Sequence, residues 1–156
     1  MAKVHYIIAA DPGAKGALCA LGSDKSIAFI DYTENTLELA TWLETYPPID
    51  TKMAAVEDVH SIFGMSAKSN FVFGKNTGII HGLLRGLGYS LDLVQPKVWQ
   101  KAIGVKAKGK DIKKEVASIV TRLYPSCEIY TPRKRLLDGR SDALALAHYI
   151  ATKYTF

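Results

Sequence analysis

The sequence is poor in the features that mark secreted, zinc-binding and membrane-spanning proteins. It has two cysteines, Cys19 and Cys127, far apart among 156 residues. A disulfide scaffold is therefore excluded, and both thiols are expected to be small buried hydrophobes in a reducing compartment. No Cys/His spacing is typical of zinc. The first apolar run, residues 4–10, is too short for a signal sequence or a membrane span. We expect a cytoplasmic protein with no membrane partner.

Internal repeats, low-complexity tracts and linkers rich in Pro, Gly or Ser are also lacking. The composition, 48% apolar and 22% charged residues, is that of a globular chain. At this length one core can bury about two thirds of the surface of the unfolded chain. We therefore expect a single domain over residues 1–156.

Positive charge is concentrated in one part of the chain. The formal net charge is +5, but residues 96–137 carry eleven Lys and Arg against three acids, a net of +8. The remainder is consequently acidic, with a net of −3. This asymmetry indicates a protein that binds a polyanion with one region and holds something else in its acidic part.

Apolar runs, turn residues and helical periodicity predict an α/β fold. Three short runs separated by hairpin-length turns predict an antiparallel meander, and the helices should cover a mixed sheet of five strands. The strands are expected at residues 4–10, 16–21, 26–31, 53–59 and 89–94. The helices are expected at residues 36–46, 67–87, 96–103, from an N-cap at Asp111 to a stop before Pro125, and from 138 to about 152.

The predicted helix at residues 67–87 has small residues at every fourth position: Ser66, Asn70, Gly74, Gly78, Gly82 and Gly86. Each glycine inside a helix costs about 1 kcal/mol relative to alanine. The backbone of a helix with this pattern usually lies close to a sheet, a partner helix or a ligand. Tight packing on its own sheet is the first interpretation, and a dimer interface is the second.

Four carboxylates fall where strands end and the last helix begins: Asp11, Glu57, Asp138 and Asp142. If strands one and four are neighbours, these side chains converge. Clustered carboxylates need cations at neutral pH, and oxygen ligands suit Mg²⁺ or Mn²⁺. Beside a basic surface, such a site is typical of two-metal phosphodiester hydrolysis. Each acid also has a simpler interpretation, as a turn residue, a helix N-terminal acid or a surface acid.

The motifs around these acids resemble those of RuvC-type Holliday junction resolvases. The matching segments are residues 7–13, 56–60 and 138–147, and residues 70–78, 94–99 and 108–111 resemble the bacteriophage branch. The resemblance covers nearly the whole chain in order. It differs in one spacing, because the last two acids are four apart here and often three apart in the family.

The resemblance implies a ribonuclease H-like fold, a homodimer and Mg²⁺-dependent paired nicking of four-way DNA junctions. Two ions per site, with Mn²⁺ able to substitute, would be held by Asp11, Glu57, Asp138 and Asp142 as the catalytic residues. It implies host-cell cytoplasm if the source is viral. It does not identify a helicase partner.

Candidate DNA contacts follow from the resemblance and from the basic segment. Family members place an aromatic residue at the junction centre, and Phe63 is the candidate, although an apolar loop anchor is an equal interpretation. The candidate phosphate contacts are Lys75, Lys106, Lys108, Lys110, Lys113, Lys114 and Arg140. Such contacts fix position without reading sequence. A solvated basic face is the alternative for any one of them.

Three other functions remain open at this stage. A ribonuclease H-like nuclease could act on other branched DNA or on RNA. The segment at residues 11–16 also resembles the phosphate loop of sugar kinases, but those need two such domains. A junction-binding protein without catalysis is the third, and it would be favoured if one of the four acids were missing.

Overall fold

A computed structural model describes residues 3–48 and 51–154. The strands are β1 (Tyr6–Asp11), β2 (Ala17–Gly22), β3 (Ile27–Asp31), β4 (Met53–Glu57) and β5 (Ser90–Val94). The helices are α1 (Thr36–Thr45), α2 (Ala67–Gly86), α3 (Pro96–Ala102), α4 (Ile112–Leu123) and α5 (Asp138–Lys153), and a 3-10 turn at Gly109–Asp111 precedes α4. The predicted strands and helices are present, with ends that differ by a few residues.

The strands form one mixed sheet in the order β3-β2-β1-β4-β5. The antiparallel pairs β1–β2 and β2–β3 make the predicted meander. The pairs β1–β4 and β4–β5 are parallel. The predicted α/β fold with a five-stranded mixed sheet is therefore confirmed, and strands one and four are neighbours.

The sheet has a hydrophobic core on each face, which explains the unbroken apolar run of β1. Ile7 and Ala9 face a core shared with α3, α4 and α5, while Ile8 and Ala10 face a core shared with α1 and α2. A strand covered on both faces needs apolar residues at consecutive positions. Full burial of a side chain such as Ile8 contributes about 1.5–3 kcal/mol, so this strand is a major source of stability.

The start of α5 lies against the loop that follows β1. A Cβ added at Gly139 would lie 2.2 Å from the backbone oxygen of Lys15 and 2.8 Å from the Cα of Gly16. Only a residue without a side chain fits at this distance. The glycine therefore sets how closely α5 approaches the end of β1.

The glycines of α2 do not pack on the sheet, so the first interpretation of that pattern is wrong. Gly74, Gly78, Gly82 and Gly86 face open space within the described part of the chain. The buried face of α2 is a different one, formed by Asn76, Ile80 and Leu84. Apolar residues decide which side of an amphipathic helix meets the core.

Helix α4 has the predicted apolar face and begins after the predicted N-cap residue. Val116, Ala117, Ile119 and Val120 are buried. Asp111 is the N-cap residue of α4, as predicted, but its side chain makes no capping hydrogen bond. It is also the last residue of the 3-10 turn and has helical dihedral angles itself.

The structure describes the two cysteines and the lengths of the helices. Cys19 is buried and Cys127 is half-buried, and both thiols are free. In the described ranges no helix combines the length and the apolar character needed to cross a bilayer.

We expect Gly139→Ala to lower the free energy of unfolding by several kcal/mol, because the added carbon meets backbone atoms that cannot move independently. Urea unfolding followed by circular dichroism measures this. The control is Gly86→Ala near the end of α2, where the added carbon meets open space and should raise stability by up to about 1 kcal/mol. Equal effects of the two substitutions would contradict the close approach of α5.

Candidate active site

Four acidic residues come together at one edge of the sheet. Asp11 is the last residue of β1 and Glu57 is the last residue of β4. Because these strands are parallel neighbours, their carboxyl ends meet. Helix α5 packs on β1 and carries Asp138 and Asp142 one turn apart on the same face. We call these four residues the acidic cluster.

Burial and mutual repulsion act on Asp11 and Asp142. Burial, with the charge of Asp138, raises the pKa of Asp11 from 3.8 to about 6, although the Gly13 N–H donates to its Oδ1 at 3.2 Å. Burial, followed by the charges of Asp11, Glu57 and Asp138, raises the pKa of Asp142 from 3.8 to about 8. The fold thus disfavours the ionised forms of both carboxyl groups, because neither solvent nor a neighbouring cation fully compensates their charge.

The Glu57 carboxylate accepts a hydrogen bond from a buried side chain. The buried Trp99 indole donates its Nε1–H to Glu57 Oε1 at 3.2 Å. Burial and the charge of Asp11 nevertheless raise the pKa of Glu57 from 4.5 to about 7. The indole holds one carboxylate oxygen in position, since the fully buried tryptophan ring of α3 has little freedom to move.

Lys113 is a cation in direct contact with the acidic cluster. Its ammonium donates to the Asp138 carboxylate, and this bond raises the pKa of Lys113. Its charge lowers the pKa values of Asp11, Glu57 and Asp142 against the larger effect of burial. One lysine therefore offsets only part of the negative charge of four acids.

The chemistry of the donor set fits Mg²⁺ or Mn²⁺, because all four side chains offer carboxylate oxygens. Within residues 3–48 and 51–154, however, no three His, Cys, Asp or Glu side chains stand close enough to ligate one ion. A shared ion would require side-chain rotation, above all at Asp138, whose carboxylate pairs with Lys113. The backbone brings the four carboxyl groups to one place, but their side-chain rotamers leave the oxygens too far apart to ligate one ion.

The other predicted contact residues have different environments. Phe63 is fully exposed in the loop before α2, and the predicted lysines of residues 106–114 are exposed. Lys75 pairs with Glu34 at 2.7 Å. The Arg140 guanidinium donates to both carboxylate oxygens of Asp31, at 2.7 and 3.0 Å, and to the Glu128 carbonyl. Arg140 thus serves to join α5 to β3, and its assignment as a DNA contact receives no support from this geometry.

Sequence reasoning gave no role to Trp99, although it singled out residues 94–99. Its contact with Glu57 depends on the parallel pairing of β4 with β5, which sets Glu57 opposite Val94. Helix α3 follows β5 directly, so this pairing brings Trp99 to the end of β4, and the local sequence does not encode it.

The shape of the chain is similar to that of solved RuvC structures. The RuvC protein of Thermus thermophilus in complex with a Holliday junction substrate superposes with a TM-score of 0.63 at 17% identity, over 96% of this chain and 97% of that one. A second structure of Thermus thermophilus RuvC gives a TM-score of 0.62 at 16% identity, over 95% and 96% of the two chains. The chain has a RuvC-like fold. No family model and no curated protein sequence matches it. At these identities the RuvC likeness concerns the fold alone.

We expect the metal-free protein to lose stability as the pH rises from about 5 to about 9. The folded state raises the pKa values of Asp11, Glu57 and Asp142 above their unfolded values, so it binds more protons than the unfolded state in this range. The stabilisation is complete below the unfolded pKa values and is lost as the pH passes the folded ones. Thermal unfolding in EDTA measures this loss.

The comparison variant is Asp142→Asn, which cannot ionise at this position. It should be more stable than the wild type at pH 8.5 and should show a shallower decline with pH. Addition of Mg²⁺ should restore the wild type at high pH more than the variant. Identical pH profiles for the two proteins would show that the cluster is not under electrostatic strain.

Proposed function

We propose that this protein is a Mg²⁺-dependent endonuclease that resolves four-way DNA junctions by paired nicks. The observation that carries the proposal is the acidic cluster itself: two carboxylates at the ends of two parallel strands and two at the start of α5, with Lys113 in contact with Asp138. In their ionised forms these acids repel a polyanionic substrate, and Lys113 offsets only part of that repulsion. A divalent ion therefore has two uses here, to neutralise the site and to act on a phosphate.

Each cluster residue has a role under this proposal. Asp11, Glu57 and Asp142 would hold the ions, and Trp99 would keep the Glu57 carboxylate oriented. Asp138 would join them when it leaves Lys113, whose ammonium then becomes available for a phosphate oxygen. When bound, Mg²⁺ or Mn²⁺ supplies Lewis-acid activation of water and stabilisation of the departing oxygen, with two ions in sites of this class.

The choice of DNA junctions as substrate depends on the surroundings of the cluster. Exposed lysines at residues 106–114 offer contacts to phosphates on the side of Lys113. The exposed Phe63 ring offers an apolar wedge on the loop after β4. The RuvC protein with the same fold is in complex with a Holliday junction substrate, and this likeness favours a junction over linear DNA or RNA.

We expect the protein to cut an end-labelled immobile four-way junction in Mg²⁺ with symmetric nicks, and to leave duplex, flap and RNA–DNA hybrid controls largely intact. Asp11→Asn should abolish cutting and preserve or tighten junction binding, because it removes an ion ligand and one negative charge near the DNA. Gel electrophoresis of the products and a mobility-shift titration measure the two effects.

The alternatives give different products in the same assay. Equal cutting of flaps or hybrids would replace junction resolution by a broader structure-selective nuclease. Tight junction binding without cutting in Mg²⁺ or Mn²⁺ would favour a binding protein without catalysis. Full cutting by Asp11→Asn would contradict the assignment of the acidic cluster.

The paired nicks require two sites related by a two-fold axis, and we propose that a homodimer supplies them. The open glycine face of α2 supports this, because Gly74, Gly78 and Gly82 permit two helix backbones to approach closely. The exposed Phe71 side chain lies at the start of the same helix. The second interpretation of the glycine pattern is thereby retained.

We expect the wild type to sediment as a dimer at micromolar concentration and Gly78→Gln to shift it towards monomer. The glutamine enters open space in one chain, so folding is preserved while helix contact is blocked. Glu44→Gln on α1, a substitution on another exposed helix position, is the control and should stay dimeric. A monomeric wild type that still makes paired nicks would overturn the dimer.

A further inference from the structure

The lysine loop, which we define as residues 104–111, has an acidic clamp on the helix that follows it. The Glu115 Oε2 accepts the backbone N–H of Lys106 at 2.9 Å and the backbone N–H of Ala107 at 2.6 Å. Glu115 lies in the first turn of α4 and is half-buried, so its carboxylate reaches back over the loop. Two charge-assisted bonds to adjacent amides fix the loop backbone more firmly than two neutral ones.

Apolar side chains in and beside the lysine loop anchor it to the hydrophobic core. Ile103, Val105 and Ile112 pack against the core that α3, α4 and α5 share, and the Val105 N–H donates to the Gln100 carbonyl at 2.9 Å. Apolar side chains thus hold the inner side, while Lys106, Lys108 and Lys110 are exposed on the outer side. Without Glu115, the amides of residues 106 and 107 would have no partner within the described part of the chain.

The position of this acid is unusual on charge grounds alone. Residues 106–114 carry five lysines, and Glu115 follows directly after Lys113 and Lys114. A negative charge here opposes polyanion binding. Its two hydrogen bonds to the loop backbone can more than offset this repulsion. Lysines on a backbone that is already fixed lose less conformational entropy when they bind phosphates.

We propose that Glu115 is a positioning residue that holds the lysine loop in the conformation that binds DNA phosphates. The proposal rests on the proposed function, because it takes the lysine loop as the DNA-binding surface. A positioning role and a purely electrostatic role predict opposite changes in DNA affinity when Glu115 is removed. Removal of a negative charge from a DNA-binding face should tighten binding, whereas removal of this one should weaken it.

The test measures binding of a four-way junction in EDTA, which prevents cutting, with Glu115→Ala, Glu115→Gln and Asp111→Asn. Asp111 is the matched control, because it is an acid of the same segment whose side chain makes no cap hydrogen bond to α4. We expect Asp111→Asn to tighten binding about twofold and Glu115→Ala to weaken it about tenfold despite the same change in charge. Glu115→Gln keeps an acceptor oxygen and should fall between the two.

A second readout separates the clamp from a general loss of structure. The salt dependence of binding reports the number of phosphate contacts, and we expect its logarithmic slope to fall by about one or two in Glu115→Ala. Amide hydrogen exchange at Lys106 and Ala107 should become faster in this variant, while exchange in the sheet is unchanged.

Each result decides the inference. Tighter binding by Glu115→Ala, to the extent seen for Asp111→Asn, would overturn the clamp and leave the proposed nuclease function intact. Weaker binding by Glu115→Ala with no cutting by the wild type in Mg²⁺ would support the clamp and overturn the nuclease. A wild type that binds no DNA would overturn both.

Discussion

The contact between the start of α5 and the loop after β1 is the constraint on which the candidate site depends. The absence of a side chain at Gly139 lets the α5 backbone approach the Lys15 carbonyl, and this places Asp138 and Asp142 beside the end of β1. Parallel pairing of β1 with β4 adds Glu57. The backbone therefore holds four acids together although their charges repel. Burial, together with this repulsion, raises the pKa values of Asp11, Glu57 and Asp142. The cost of bringing these acids together is offset by the stability of the surrounding fold.

Much of the fold could be predicted from the sequence, because local patterns determine its elements. The unbroken apolar run of β1 and the helical periodicity of α4 indicate where each is buried. The glycine pattern of α2 does not pack on the sheet, and small residues alone do not say whether a sheet, a second chain or solvent lies opposite. The order of the strands also needed the structure, because the neighbour relation of β1 and β4 is a long-range property.

The acids of the candidate site were predictable from their places at strand and helix ends, whereas their partners were not. Trp99 bonds to Glu57 across 42 positions of sequence, and Arg140 bonds to Asp31 across 109. No local pattern encodes such pairs. The charge count marked the basic segment but could not distinguish Lys113, which meets the acidic cluster, from exposed lysines nearby, or show that Glu115 supports the loop that carries them.

Anomalous diffraction from crystals grown with Mn²⁺ shows directly whether the acidic cluster binds divalent cations. We expect manganese peaks in contact with Asp11, Glu57 and Asp142, with Trp99 still bonded to Glu57 and the Lys113 ammonium released from Asp138. Crystals that hold Mn²⁺ elsewhere, or that show the cluster without an ion at saturating Mn²⁺ and with the Lys113–Asp138 pair intact, would contradict this expectation.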